Sequence, residues 1–450
     1  MYTIDKADSR GGVREYETPR RHTVPTCAGA HGIPDTLGER PFVLLEYEKP
    51  PTVNYTLSDP CVTEKPPPKM APSPIEMPML ERTRLILVGG FLGAGKTTLL
   101  RRAAEKLMAS GRRVALLAND QAEGLVDTSL LRETGADVDE VGGGCFCCRF
   151  PQMMEAVERL MRRSRPEIII AEPVGSCTDL AATVIRPIRK MFGEQIEVAP
   201  LSVLIDVHQM RIMQDLGREF DKRISRLPDS VLHIYRTQLE EADVVVLNKC
   251  DLVSSDDLVA LEASLADLLG DRPRFAISAE AGTGVDDWLE AIASGETESR
   301  TARVDYDVYA EGEAAMGWLN ANGTVKAQAD VDWTDFMQRL VRQIQADIAA
   351  AGGVVQHLKC FLTVPRKGHV AGNCIDNTRP PVIRGNLEPS VRKANLLVNA
   401  RVLIASETLR RVVVDAVERV GADTAVETRL NVVRSFHPDR PEPVHRMLDS

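Results

Sequence analysis

A chain of 450 residues with a net charge of −10 is long enough for two or three domains. It is too acidic for a general nucleic-acid binder, which needs a basic footprint to neutralise phosphates. No apolar run approaches the roughly 18 residues of a bilayer span, and the N-terminus lacks the charged-then-apolar pattern of a secretory signal. The expectation is a cytoplasmic protein with no membrane and no nucleic-acid partner.

Residues 1–80 are Pro-rich, with Pro66, Pro67, Pro68, Pro72, Pro74 and Pro78 close together. Such a stretch buries too little surface to offset its ordering entropy and reads as a disordered extension. Phe42–Leu45 is its one apolar patch, suited to a short strand or a docking segment, and Met70, Met77 and Met79 are alternative starts. From Arg84 onward, strand-length apolar runs (Arg84–Val88, Val114–Ala118, Ile168–Ala171, Val198–Ile205, Val244–Leu247, Phe275–Ile277) alternate with helical segments (Thr97–Ala109, Gln152–Arg163, Gln238–Ala242, Asp256–Leu269). That alternation predicts βαβ units, hence an α/β domain over residues 83–295 with a mainly parallel sheet covered on both faces. Gly295–Arg300 reads as a linker.

Residues 303–435 read as a smaller α+β domain. Val304–Tyr309 and Gly323–Ala329 are expected to pair around a turn near Asn320–Gly323. Trp333–Ala351 and Glu407–Val420 have helical periodicity; His357–Val364, Ala394–Ile404 and Thr424–Val433 read as strands. Residues 436–450 are expected as a tail, and no internal repeat is present.

Gly90-Phe91-Leu92-Gly93-Ala94-Gly95-Lys96-Thr97-Thr98 is a GxxxxGKT phosphate loop between a predicted strand and a predicted helix, the context that confirms this motif. Its glycines let backbone N–H groups face phosphate oxygens, Lys96 neutralises the outer phosphates, and Thr97 offers a hydroxyl to Mg²⁺. Asn248-Lys249-Cys250-Asp251 ends a later strand. Asp251 can accept two hydrogen bonds from guanine, whereas adenine would turn a lone pair toward it, a mispairing that costs roughly 2–5 kcal/mol. Asn248 braces this loop, the Lys249 stem covers the base, and Ser278-Ala279 supplies a main-chain N–H to the guanine. The ligands expected are GTP or GDP with Mg²⁺.

Glu172 ends an apolar strand and Gly175 follows it, a place where a Mg²⁺ shell or an attacking water is organised; an ordinary strand-terminal Glu is the plain alternative. Asn119-Asp120 and Asp127 read either as a switch segment sensing the outer phosphate, with Asp120 catalytic, or as a helix cap or turn. Asp206 is open in the same way. Of nine cysteines, Cys145, Cys147 and Cys148 follow Gly142-Gly143-Gly144. Three thiols so close suit Zn²⁺ or another borderline ion, with a fourth position open to exchange. The alternative is buried cysteines in a tight loop.

In this order, the phosphate loop GGFLGAGKTTLL, the Cys-x-Cys-Cys after glycines, the Glu-x-x-Gly and the NKxD resemble the CobW-like GTPases, relatives of the GTPases that help insert nickel into hydrogenase and urease. The resemblance covers roughly residues 83 to 295. It implies a P-loop GTPase domain and a GTP-hydrolysing metallochaperone for Zn²⁺ or Co²⁺, or an insertion factor for a metal enzyme or corrinoid. It places Lys96 and Thr97 on phosphate and magnesium, Glu172 in the catalytic-carboxylate role, Asn248 and Asp251 on the base, and Cys145, Cys147 and Cys148 on the transferable metal. An activation factor for a corrinoid enzyme and a regulatory switch without metal transfer remain alternatives; the client is a metalloenzyme or corrinoid protein, and a homodimer is an open assembly. Asn119-Asp120-Gln121 departs from the usual Asn-Glu-Gly of the family, and no long histidine-rich run is present. The C-terminal part carries Gln356-His357-Leu358-Lys359-Cys360 and Gly372-Asn373-Cys374-Ile375-Asp376-Asn377 instead of an obvious family domain. There Cys360, Cys374, His357 and His369 are either extra ligands or ordinary core and surface residues.

Overall fold

A computed structural model of the chain describes residues 82–121, 126–210 and 227–448. The Pro-rich extension, with Phe42–Leu45 and the alternative starts, lies outside the described residues.

The first half is built on an all-parallel sheet. Its strands are β1 (Thr83–Gly90), β2 (Val114–Asn119), β3 (Asp137–Val141), β4 (Ile168–Glu172), β5 (Ile196–Val198), β6 (Ser202–Asp206), β7 (Val244–Asn248) and β8 (Arg274–Ile277). They lie in the order β3-β2-β4-β1-β6-β7-β8, with β5 also on β1. Every residue of β1 is buried, because both faces are covered, as parallel sheets require. Leu85 and Leu87 pack with Met153, Val157 and Leu160 on one side; Ile86 and Val88 pack with Leu99, Leu100 and Ala103 on the other. The run Val198–Ile205, expected as one strand, is two. β5 pairs with the start of β1 and β6 with its end, and Pro200 lies between them, where a residue without N–H cannot continue a ladder. The expected linker 295–300 is packed: Thr297 and Ser299 are buried, and Thr297 Oγ1 donates to Asp243 Oδ2 at 2.6 Å.

The second half differs more from its expectation. Val304–Tyr309 is not a strand: Tyr306–Ala314 is a helix, capped by Asp305, whose side chain accepts from the Asp307 and Val308 amides. No turn interrupts Asn320–Gly323; β9 (Gly317–Ala327) runs straight through it, held by antiparallel partners on both edges. With β10 (Val354–Val364), β11 (Gly368–Cys374), β12 (Val382–Asn386), β13 (Lys393–Leu403) and β14 (Val426–Phe436) it forms an antiparallel sheet ordered β12-β11-β10-β13-β9-β14.

The two faces of this sheet differ in polarity. Leu358, Cys360, Leu362, Val398 and Ala400 point into a core with the helices Trp333–Ala350 and Ser406–Asp423. The register sets His357 opposite Arg401 and Lys359 opposite Asn399, and then Arg401 opposite Trp318 and Asn399 opposite Asn320. Since successive strand residues face opposite ways, these six, five of them polar, form two rows on the other face. No described helix is long and apolar enough to cross a membrane.

Candidate functional site

The phosphate loop leaves β1 at Gly90 and enters the helix Lys96–Ala109. Gly90, Gly93 and Gly95 have φ of 125°, 78° and 99°, a region that L side chains avoid. Gly95 is required twice over, since a Cβ there would stand 2.3 Å from Asn248 Nδ2. Lys96 is buried, and its ammonium donates to the carbonyls of Gly90 at 2.8 Å and Phe91 at 3.1 Å. Burial pushes its pKa down, opposed by the Glu172 carboxylate.

The NKxD segment is tied onto this loop. Asn248 Nδ2 donates to Ala94 O at 2.8 Å, and Lys249 Nζ donates to Gly93 O at 2.6 Å and to Asp206 Oδ2 at 2.5 Å. Asp206 is thereby accounted for as the partner of Lys249. Asp251 is exposed, in the short turn Cys250–Leu252. The expectation for Ser278-Ala279 needs correction: the Ser278 amide donates to Thr283 O and the Ala279 amide to Asn248 Oδ1 at 2.9 Å. Neither N–H is spare for a base; Ala279 orients Asn248 instead.

Three oxygens converge beside Lys96. Thr97 Oγ1 lies 3.0 Å from Asp127 Oδ1 and 3.2 Å from Glu172 Oε1. Glu172 Oε2 is buried without a hydrogen-bond partner, and burial pushes this carboxyl up to about 7. An orphaned buried carboxylate oxygen beside a threonine hydroxyl and a second carboxylate fits a hard divalent cation. Gly175 closes the pocket from the side, packed so tightly that a Cβ would meet Leu92 Cδ2 at 2.7 Å.

The far wall belongs to the C-terminal sheet. The cleft is lined by Gly93, Lys96, Thr97 and Glu172, and also by Trp318, His357, Lys359 and Arg401. Lys359 forms an ion pair with Asp127 and stands 3.5 Å from Thr97 Oγ1. Burial works against a charge on Asp127, but Lys359, the nearby His357 and the hydrogen bonds from Lys359 and Thr97 hold it down at about 2. Burial, with the Lys359 charge, pushes the His357 imidazole well below its ordinary range. Asp120, expected in a catalytic role, is held by Arg401, whose Nη2 reaches both carboxylate oxygens at 2.7 Å. Arg401 also lies over the Trp318 ring at 4.2 Å.

The cysteine loop follows β3 and opens on Gly143 and Gly144 at φ 76° and 152°. Sulfur separations are 2.8 Å for Cys145–Cys147, 3.3 Å for Cys145–Cys148 and 3.7 Å for Cys147–Cys148. Hydrogen bonds from Cys147, Cys148 and Cys177 hold Cys145 well below the usual thiol range. Cys177, two residues beyond Gly175 in sequence, is a further thiol buried in the same core, near enough to perturb Cys145 and Cys147 but outside the group of three whose sulfurs lie within 4.8 Å of one another. Sequence reasoning missed it, although its position just past the Glu-x-x-Gly motif was a usable signal. Cys360, Cys374, His357 and His369 do not gather here. The two cysteines are buried in the C-terminal core, His357 faces the phosphate cleft, and His369 Nδ1 is 2.6 Å from Glu133 Oε1.

One side chain joins cleft and thiols. Asn119 Nδ2 donates to Val141 O and Gly144 O, both at 2.8 Å. Its Oδ1 accepts from Phe146 N at 3.0 Å and Val174 N at 3.4 Å. The segment expected as a tail also reaches the thiols: Glu442 N donates to Cys148 Sγ at 3.2 Å and Val444 N to Cys147 O at 3.0 Å.

Residues 84–275 match the model of the CobW/HypB/UreG nucleotide-binding domain. The zinc chaperone CobW of Pseudomonas aeruginosa is 29% identical over 259 residues, 51% of this chain and 64% of that protein. The zinc chaperone YeiR of Escherichia coli K12 is 29% identical over 192 residues, 42% of this chain and 53% of that protein. The zinc-regulated GTPase metalloprotein activator 1 of Dictyostelium discoideum is 25% identical over 211 residues, 40% of this chain and 43% of that protein. The chain therefore spans less than two thirds of the length of these relatives.

Proposed function

From the match of residues 84–275 to the CobW/HypB/UreG nucleotide-binding domain, we propose that the chain is a GTP-hydrolysing metallochaperone. It loads a thiophilic divalent ion on its cysteine loop and releases it to a client metalloenzyme or corrinoid protein. Zinc is the favoured cargo, since relatives are named zinc chaperones; cobalt has compatible ligand chemistry.

The observation that carries the reading is the thiol cluster standing one asparagine away from the phosphate cleft. Zinc bound at about 2.3 Å to thiolates in a tetrahedron sets its sulfurs roughly 3.8 Å apart, and the cluster needs only small adjustments to reach that spacing. Cys145, Cys147 and Cys148 take the ion, with Cys177 beside them. In the cleft, backbone amides of Gly93 to Thr97 cradle the phosphates and Lys96 neutralises their outer charge. Thr97, Asp127 and Glu172 would hold Mg²⁺, which when bound polarises the phosphate oxygens. Asn248 keeps the NKxD loop on the phosphate loop so that Asp251 can address the guanine edge.

The test is a Zn²⁺ titration of the full chain against a competing chelator, with a non-hydrolysable GTP analogue, with GDP and without nucleotide. The expected result is near one equivalent bound, with affinity that depends on the nucleotide. The variant with Cys145, Cys147 and Cys148 all changed to serine should lose this binding and keep guanine-nucleotide binding. Tight stoichiometric zinc in that variant overturns the assignment of the thiols. Zinc affinity independent of nucleotide overturns the chaperone cycle in favour of a plain switch with a static thiol site.

A further inference from the structure

The geometry points to Lys359, on the C-terminal antiparallel sheet, as a residue of the nucleotide site: it holds the outer phosphate of GTP and falls back on Asp127 when that phosphate is gone. The inference rests on the GTP reading above and adds to it a part for the second sheet.

The first observation is where the ammonium stands. It is bonded to Asp127 and lies 3.5 Å from Thr97 Oγ1, so it occupies the place beside two of the three groups proposed to take Mg²⁺. Two cations on one carboxylate repel each other strongly in a buried cleft, so they compete for it. Mg²⁺ arriving with the nucleotide would therefore favour release of the lysine.

A second observation limits where it can go. The strand paired with its own, β13, is pinned. Asn399, opposite Lys359 in the register, accepts the Val126 amide at 3.0 Å. Arg401, opposite His357, is fixed on Asp120. The helix Val126–Arg132 that carries Asp127 is thus held against the sheet at both its start and its aspartate. The backbone stays, and only the flexible stem of Lys359 moves. The other carboxylates lining the same cleft are Glu172, itself proposed for Mg²⁺, and Asp120, which Arg401 already holds through both oxygens. Arg401 and Lys96 are cations, so the terminal phosphate is the anion that the displaced ammonium meets.

The consequence has two signs. With GTP, Lys359 adds a charge-assisted contact; with GDP it competes with Mg²⁺ for Asp127. The test is a fluorescent-nucleotide titration of the full chain and its Lys359→Gln and Lys359→Arg variants, with a non-hydrolysable GTP analogue and with GDP, at several Mg²⁺ concentrations. Lys359→Gln should weaken the GTP analogue by about tenfold, the loss of one hydrogen bond to a charged group. It should at the same time lower the Mg²⁺ concentration needed for GDP binding, and Lys359→Arg should restore the preference for GTP. If Lys359→Gln does not fold, Asp127→Asn compared with Asp127→Asn/Lys359→Gln gives the GTP-analogue arm of the readout, since the carboxylate left unpaired is then absent: the added Lys359→Gln change should still weaken the GTP analogue and not GDP. Equal change for both nucleotides, with an unchanged Mg²⁺ requirement, overturns the inference and leaves Lys359 a structural tether. A wild-type chain that binds neither nucleotide overturns the GTP reading itself, and Lys359 with it.

Discussion

Asn119 Oδ1 accepts the amide of Phe146 at 3.0 Å, so the strand end beside the phosphate cleft and the middle of the Cys-x-Cys-Cys loop share a hydrogen bond. The other half of the same amide holds Gly144 at 2.8 Å. Asn119→Ala should therefore uncouple the two sites. Coupling between ligands is reciprocal and of the order of 1–3 kcal/mol, or about 5- to 150-fold. Zinc affinity measured with the GTP analogue and with GDP should differ by such a factor in the wild type and converge in the variant. Undiminished coupling in Asn119→Ala would mean that the signal takes another route.

Cys177 is buried in the same core as Cys145 and Cys147, which makes it the candidate fourth sulfur for the proposed metal site. Cys177→Ser should weaken zinc about tenfold or more, the scale on which a lost contact of over 1.4 kcal/mol is read. With cobalt as the probe, thiolate charge-transfer absorption should fall by about a quarter if four thiolates bind. Unchanged intensity in Cys177→Ser would assign the fourth position to an outside ligand.

Gly95 has φ 99°, and a Cβ there would stand 2.3 Å from Asn248 Nδ2. Gly95→Ala should cost about 1–3 kcal/mol of backbone strain and abolish nucleotide binding, because it forces the NKxD loop off the phosphate loop. Gly111 is the control: its φ is 84° but a Cβ would meet nothing within 4 Å. Gly111→Ala should lower the urea midpoint modestly and leave nucleotide titrations unchanged. Similar binding defects in both variants would show that strain alone, without the Asn248 contact, accounts for the loss.

Asp251 is exposed on its turn, just after Lys249, which is anchored at φ 68°. Asp251→Asn should move the preference from guanine to xanthine nucleotides, whose C2 oxygen suits an amide donor. A competition titration in which the wild type takes ATP as tightly as GTP would remove Asp251 from base recognition.

Glu241 is buried at the end of the helix Asp229–Glu241, and its Oε2 accepts the Ala181 amide at 3.2 Å. Burial, against that hydrogen bond, pushes it up to about 8 from an ordinary 4.5. Between those values the folded state keeps a proton that the unfolded state has released. Stability therefore falls as pH rises through that window, by up to about 1.4 kcal/mol per pH unit, and levels off above it. Glu241→Gln, neutral throughout, should show a flatter urea midpoint from about pH 5.5 to about pH 8. Parallel curves for wild type and variant would show that Glu241 does not bind a proton in the folded state in this range.

What the sequence determined by itself are the pieces whose chemistry is local. The glycines of the phosphate loop, the Glu-x-x-Gly, the NKxD and the Cys-x-Cys-Cys are each built from residues a few positions apart, so spacing alone marks them as motifs. The strands of the parallel sheet were legible too, because burial on both faces makes them continuous apolar runs. Expectations failed where partners come from far along the chain. Asn320–Gly323 has the composition of a turn, yet it stays extended because β13 and β14 pair with it from both sides. Val304–Tyr309 has the alternation of a strand, yet Asp305 caps a helix there. Lys359 and Arg401 alternate with apolar neighbours just as solvent-facing strand residues do; only the tertiary packing turns that polar face onto the cleft beside the phosphate loop. The same holds for Cys177 and for the C-terminal stretch over Cys147 and Cys148: contact between segments distant in sequence leaves no mark in local pattern, and the tertiary structure alone decides it.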